Sequence, residues 1–100
     1  MFIHNTTFSI EESVLRECIF KLKSEFIPDL KQTERFENVV FSEILTHNEP
    51  NMRTYSLQVF CSSIEELKFL KQSFQNRLEA MVGAYLGKVL FFQSKMRVID

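Results

Sequence analysis

Apolar and polar positions alternate from Phe2 to Ile10. Phe2, His4, Thr6, Phe8 and Ile10 share one parity, and Ile3, Asn5, Thr7 and Ser9 the other. This two-residue period predicts a strand with one largely apolar face. The period then changes. Val14, Leu15, Cys18, Ile19, Leu22 and Phe26 recur at helical spacing, which predicts a helix with a single apolar stripe. Pro28 has no N–H and disfavours a helical residue before it, so a break is expected near Ile27, with a short turn or helical bridge over Asp29 to Thr33. A second strand-like run, Phe36 to Leu45, contains Val39, Val40 and Phe41 in succession, and its register stays open because either parity is partly apolar.

His47-Asn48-Glu49-Pro50-Asn51 is the richest turn stretch of the chain and predicts a hairpin with a longer loop. A third run, Thr54 to Cys61, follows, with Tyr55, Leu57, Val59 and Cys61 on one parity. Ile64, Leu67, Leu70, Phe74, Leu78, Met81, Val82 and Tyr85 then form a second helical stripe, for which Gly87 is a natural left-handed stop. Ser9-x-x-Glu12, Ser62-x-x-Glu65 and Ser63-x-x-Glu66 read as capping boxes at the two helix starts. The last run extends from Val89 to Ile99. The succession of strand, capped helix and strand therefore occurs twice. The βαββαβ order is that of a split βαβ unit, an α+β ferredoxin-like sandwich with a four-stranded antiparallel sheet, two helices on one face and the first and third strands central. We expect one domain over residues 1–100.

In the last run Leu90, Phe92, Met96 and Val98 form the more apolar parity and are expected to face the helices. Val89, Phe91, Gln93, Lys95 and Arg97 then fall on the open sheet face, beside Ile3, Asn5, Thr7, Ser56, Gln58 and Phe60. Such a face measures roughly 20 by 20 Å, and a mixed surface of that size calls for a partner or ligand. The candidate residues for a ligand site or an interface are Asn5, Thr7, Ser56, Gln58, Phe60, Phe91, Gln93, Lys95 and Arg97. A homodimer packed sheet to sheet about a two-fold axis is the economical arrangement. A small molecule held in the cleft between the sheets, lined by Phe60 and Phe91, is the accompanying expectation.

Composition limits the alternatives. The chain has 100 residues, 45% of them hydrophobic, with eleven Phe and a formal net charge of -1. Basic residues do not cluster along the sequence, so nucleic acid is not an expected partner. Cys18 and Cys61 belong to no metal-ligand spacing and read as buried free thiols. No metal or cofactor is implied. His4 lies on the apolar parity without a second ligand at metal spacing and reads as a core or rim histidine. The two glycines, Gly83 and Gly87, make no phosphate loop. The N-terminal run lacks the pattern of a signal peptide, and no apolar run approaches the ~20 residues of a membrane helix, so a cytoplasmic location is expected. Nothing forms a catalytic signature, which favours a non-enzymatic reading.

Thr54-Tyr55-Ser56-Leu57-Gln58-Val59 and Gly87-Lys88-Val89-Leu90-Phe91-Phe92-Gln93-Ser94, with His4-Asn5-Thr6-Thr7, Ile27-Pro28 and Thr33-Glu34-Arg35-Phe36, resemble a family of small bacterial proteins known only as domain of unknown function 4286. The resemblance spans nearly the whole chain. It implies a ferredoxin-like fold akin to dimeric α/β-barrel proteins, and no activity. This chain departs from the pattern at Phe26, where a His precedes the Ile-Pro, at Glu34, where a Gly follows the Thr, and at Gln93, where an Arg stands. A functional site built on that His and Arg would have lost both charges here. By analogy of fold alone, the rival readings are a dimeric α/β-barrel enzyme of the monooxygenase or isomerase kind, with Asn5, Tyr55, Gln58 and Lys95 near the substrate, and a ligand-sensing regulatory domain.

Overall fold

The computed structural model describes residues 1–46 and 48–100; the turn expectation for His47 lies outside them. Strand β1 (Phe2–Glu11) runs directly into helix α1 (Glu12–Lys21), a π-helical turn (Leu22–Phe26) and helix α2 (Ile27–Gln32). Strands β2 (Asn38–Ile44) and β3 (Met52–Cys61) form the hairpin, helix α3 (Ile64–Gly83) crosses back, and β4 (Val89–Arg97) closes the sheet. The strand order is β2-β3-β1-β4 with every pair antiparallel. This is the expected ferredoxin-like architecture, with β1 and β3 in the centre.

The chain does not break at Pro28. The helix continues from Glu12 to Gln32 because the turn just before the proline widens, the Ile27 N–H reaching back to the Leu22 carbonyl. A π turn absorbs a residue that cannot continue the i−4 ladder. It also corrects the phase of the apolar stripe. Cys18, Leu22, Phe26 and Leu30 are all buried at intervals of four, and 3.6 residues per turn would carry such a series gradually off the sheet. The Ser24 hydroxyl donates to the Phe20 carbonyl at 2.6 Å across this turn.

The capping expectations divide. Ser63 caps α3, its hydroxyl accepting from the Glu66 N–H at 3.3 Å. Ser9 caps nothing, because β1 extends through Glu11, which becomes the first residue outside α1 and makes no side-chain cap bond. At the far end of α3 the helix stops at Gly83, and Leu86 (φ 54°) and Gly87 (φ 88°) make the left-handed turn into β4.

The core lies between the helices and one sheet face, where Phe8, Ile10, Leu57, Val59, Cys61 and Val89 meet Cys18, Leu22, Leu70, Phe74 and Leu78. The ladder settles the open register of β2. Val39 stands opposite Val59 and Phe41 opposite Leu57, so both face the helices, and Phe41 stacks on Tyr55 at 5.5 Å.

The parity expected for β4 is reversed. Val89 pairs with Ile10, Phe91 with Phe8, Gln93 with Thr6, Lys95 with His4 and Arg97 with Phe2, and directly opposite residues share a face. These five β4 residues are therefore on the helix side. Leu90, Phe92, Ser94 and Met96 occupy the open face. The more apolar parity of β4 points away from the helices because Val89 and Phe91, opposite Ile10 and Phe8, are the residues that close the core. Val89 is buried, whereas Lys95 and Arg97 are exposed beside the N-terminal half of α3.

Candidate functional site

The reversal divides the nine expected site residues between two places. Asn5, Thr7, Ser56, Gln58 and Phe60 stand together on the open face; Phe91, Gln93, Lys95 and Arg97 lie on the helix side. A cleft lined by both Phe60 and Phe91 therefore does not exist. The set proposed for a barrel enzyme divides in the same way, with Asn5 and Gln58 on one face and Tyr55 and Lys95 on the other.

The open face consists of four full cross-strand rows, Asn38-Phe60-Ile3-Met96, Val40-Gln58-Asn5-Ser94, Ser42-Ser56-Thr7-Phe92 and Ile44-Thr54-Ser9-Leu90, continued at one end by the pair Met52-Glu11. Among these strand residues Glu11, at one end of the face, is the one that carries a charge, although charged residues make up 25% of the chain. At the centre the Ser56 hydroxyl donates to Asn5 Oδ1 at 2.6 Å, and Asn5 Nδ2 donates to Thr7 Oγ1 at 3.0 Å. Along the β4 margin Leu90 is 59% exposed, Phe92 65% and Met96 38%. Sequence reasoning missed these three because it gave the apolar parity of an edge strand to the core. The available signal was Ser94, the polar residue that interrupts that parity.

On the helix side Gln93 links two elements. Its Nε2 donates to Thr6 Oγ1 at 3.1 Å, and its Oε1 accepts from Gln75 Nε2 of α3 at 2.9 Å. A cavity of about 20 Å³ beside them is bordered by His4, Thr6, Phe26 and Gln93, enough for one water on polar partners. Two of the positions at which the chain departs from the resembled pattern, Phe26 and Gln93, thus border the same interior space. Phe26 fills its position as a core residue, edge-on to Phe74 at 5.9 Å. His4 is 7% exposed, and burial, reinforced by the Lys95 charge, holds its pKa below the ordinary value.

Beyond Gln93 the helix side opens into two adjoining grooves between α3 and β4. One, about 480 Å³, is bordered by Gln75, Glu79, Gln93 and Ser94; the other, about 460 Å³, by Phe2, Leu67, Lys68 and Arg97; Lys71 and Lys95 border both. Arg97 lies over the Phe2 ring at 5.7 Å. A separate groove of about 440 Å³ runs between the π turn and β2, bordered by Lys23, Lys31, Glu43 and Tyr55. Desolvation, with Glu43 adding to it, raises the Tyr55 pKa.

The remaining buried chemistry serves the core. Cys18 and Cys61 are free and buried, and burial pushes each thiol up to about 11. The Tyr85 hydroxyl is buried without a hydrogen-bond partner among the described residues, and Lys21 lies 5.5 Å from its ring centroid. Among the described residues no three His, Cys, Asp or Glu side chains gather in a metal-holding group, and no helix is long and apolar enough to cross a membrane.

A family model described as a domain of unknown function (DUF4286) matches residues 1–99. The fold is similar to the crystal structure of a dimeric ferredoxin-like protein from an uncultured marine organism, with a TM-score of 0.62 and 10% identity, over 99% of this chain and 95% of that one. No curated protein matches the sequence.

Proposed function

Since the chain belongs to the DUF4286 family, which brings no assigned activity, we propose from its surface that it is a homodimeric module whose two copies pack through their open sheet faces. The observation that carries this reading is a face whose four full cross-strand rows hold no charge, Glu11 standing only at its end, with Leu90, Phe92 and Met96 exposed along it. Depletion of charge and exposure of large apolar groups mark the centre of a protein interface.

A second copy is the occupant for three reasons. The face projects about 500 Å² from its strand lengths and spacings, so two of them together come to the ~1,000 Å² at which specific interfaces begin. Its polar centre is self-complementary, because Ser, Asn, Thr and Gln each donate and accept. The structurally similar marine protein, which shares the sheet and helix arrangement, is described as dimeric. Within such an interface Gln58, which makes no side-chain hydrogen bond within the described chain, supplies the free amide for the partner or for a small polar molecule trapped between the sheets. The two free, buried thiols fit a reducing compartment such as the cytoplasm.

Light scattering over a dilution series tests the reading. A molar mass of twice 11.9 kDa that falls only on dilution supports it, and a single-chain mass at all concentrations rejects it.

A further inference from the structure

We infer that the grooves between α3 and β4 form one binding site for a small phosphorylated molecule carrying two or more negative charges. This goes beyond the dimer reading and does not depend on it, because the residues concerned lie on the helix side of the sheet.

Lys68 and Lys71 stand one turn apart on α3, about 5 Å along its axis. Lys95 and Arg97 stand two residues apart on β4, about 7 Å along the strand. The four border adjoining grooves of about 480 and 460 Å³, each within the size range of small-ligand sites. None of the four makes an ion pair within the described chain, whereas Lys21, Arg35, Arg53 and Arg77 all do. Glu79 is the one acid bordering either groove, and it accepts from Gln75 at 3.3 Å. In a protein of net charge -1 this is a local excess of positive charge, held together by the fold against its own repulsion. A concave surface concentrates such a field, and a multivalent anion relieves it.

The groove also has the features that a charged patch alone lacks. Phe2 and Leu67 supply an apolar wall, and Gln93 supplies a hydrogen-bonding group fixed from both sides by Thr6 and Gln75. The two pairs of cations, on opposite walls, match two anionic centres instead of one. Arginine offers a forked donor set to a phosphoryl group, and the lysines act as point charges.

The test is a titration of the intact protein with inorganic pyrophosphate at about 50 mM salt, where the Debye length still exceeds 10 Å, followed by backbone amide NMR shifts. The expected result is saturable binding, one per chain, with shifts concentrated at residues 67–75 and 93–97. The neutral double variant K71Q/K95Q should weaken binding at least tenfold while keeping the wild-type circular dichroism, and K88Q, which alters a cation outside the groove, should change it less than twofold. Equal loss in K88Q, shifts spread over Lys23 and Lys31, or no saturation would overturn the site. So would tight binding of a single-stranded oligonucleotide with none of pyrophosphate. The dimer is read separately by molar mass, so failure of either proposal leaves the other standing.

Discussion

Phe91 stands opposite Phe8 across the β1–β4 ladder, with the ring centroids 6.5 Å apart, and this contact determines the side of the sheet that every other β4 residue serves. Phe91 closes the core while its neighbour Phe92 faces outward. Two adjacent phenylalanines therefore have different consequences. F91A should destabilise the chain by about 2–3 kcal/mol, below the full value for a buried Phe because the ring is only partly enclosed. F92A should shift it by less than about 0.5 kcal/mol. Urea unfolding followed by circular dichroism, at a concentration where the chain is monomeric, distinguishes them.

Glu34 occupies the left-handed region, φ 56°, where the resembled family pattern has a glycine. A side chain there costs about 1–2 kcal/mol, partly offset by the greater freedom that glycine gives the unfolded chain. E34G should therefore raise stability by about 0.5–1 kcal/mol, read as a higher urea midpoint at unchanged slope. A lower midpoint would show that the turn depends on the glutamate.

His4 sets a pH dependence. Its folded pKa lies below the ordinary 6.5, first through burial and then through Lys95, so the unfolded chain binds the proton more readily. Stability is complete above pH 6.5 and declines as the pH falls from there towards the folded pKa. Urea midpoints should drop between pH 7.5 and pH 5, and H4F should flatten that slope. An unchanged slope in H4F would locate the effect elsewhere.

The two free thiols should resist modification. Burial raises both to about 11, and the thiolate is the reactive form. Ellman's reagent at pH 8 should label neither Cys18 nor Cys61 in the native protein and both in urea. Rapid labelling of one thiol in the native state would show that its part of the core opens.

The sequence pattern disclosed most of the fold. Alternation defined β1 and β3, the helical stripes placed the core, and Ser62 and Ser63 together announced the start of α3, of which Ser63 is the cap. The pattern failed where an element answers to two demands. Pro28 predicts a break if only the i−4 ladder is considered, but the stripe Cys18, Leu22, Phe26 and Leu30 already had the wider spacing that a π turn satisfies. The β4 strand carries apolar residues on both parities, and a lone sequence does not say which of them meets the helices. For the same reason the candidate residues were drawn from two faces. Asn5, Thr7, Ser56, Gln58 and Phe60 do share a surface, and Gln93, Lys95 and Arg97 belong with Lys68 and Lys71, which no strand parity could have added.

Binding of a second copy through the open face is measured most directly by sedimentation velocity of the wild type beside F92E and K71E. Phe92 stands on the open face and Lys71 borders the groove on the helix side. A charge placed in an apolar contact is left uncompensated on association. We predict a dimer at tens of micromolar for the wild type and for K71E, and a folded monomer for F92E. A wild type that sediments as a monomer, or an F92E that remains a dimer, would contradict the account.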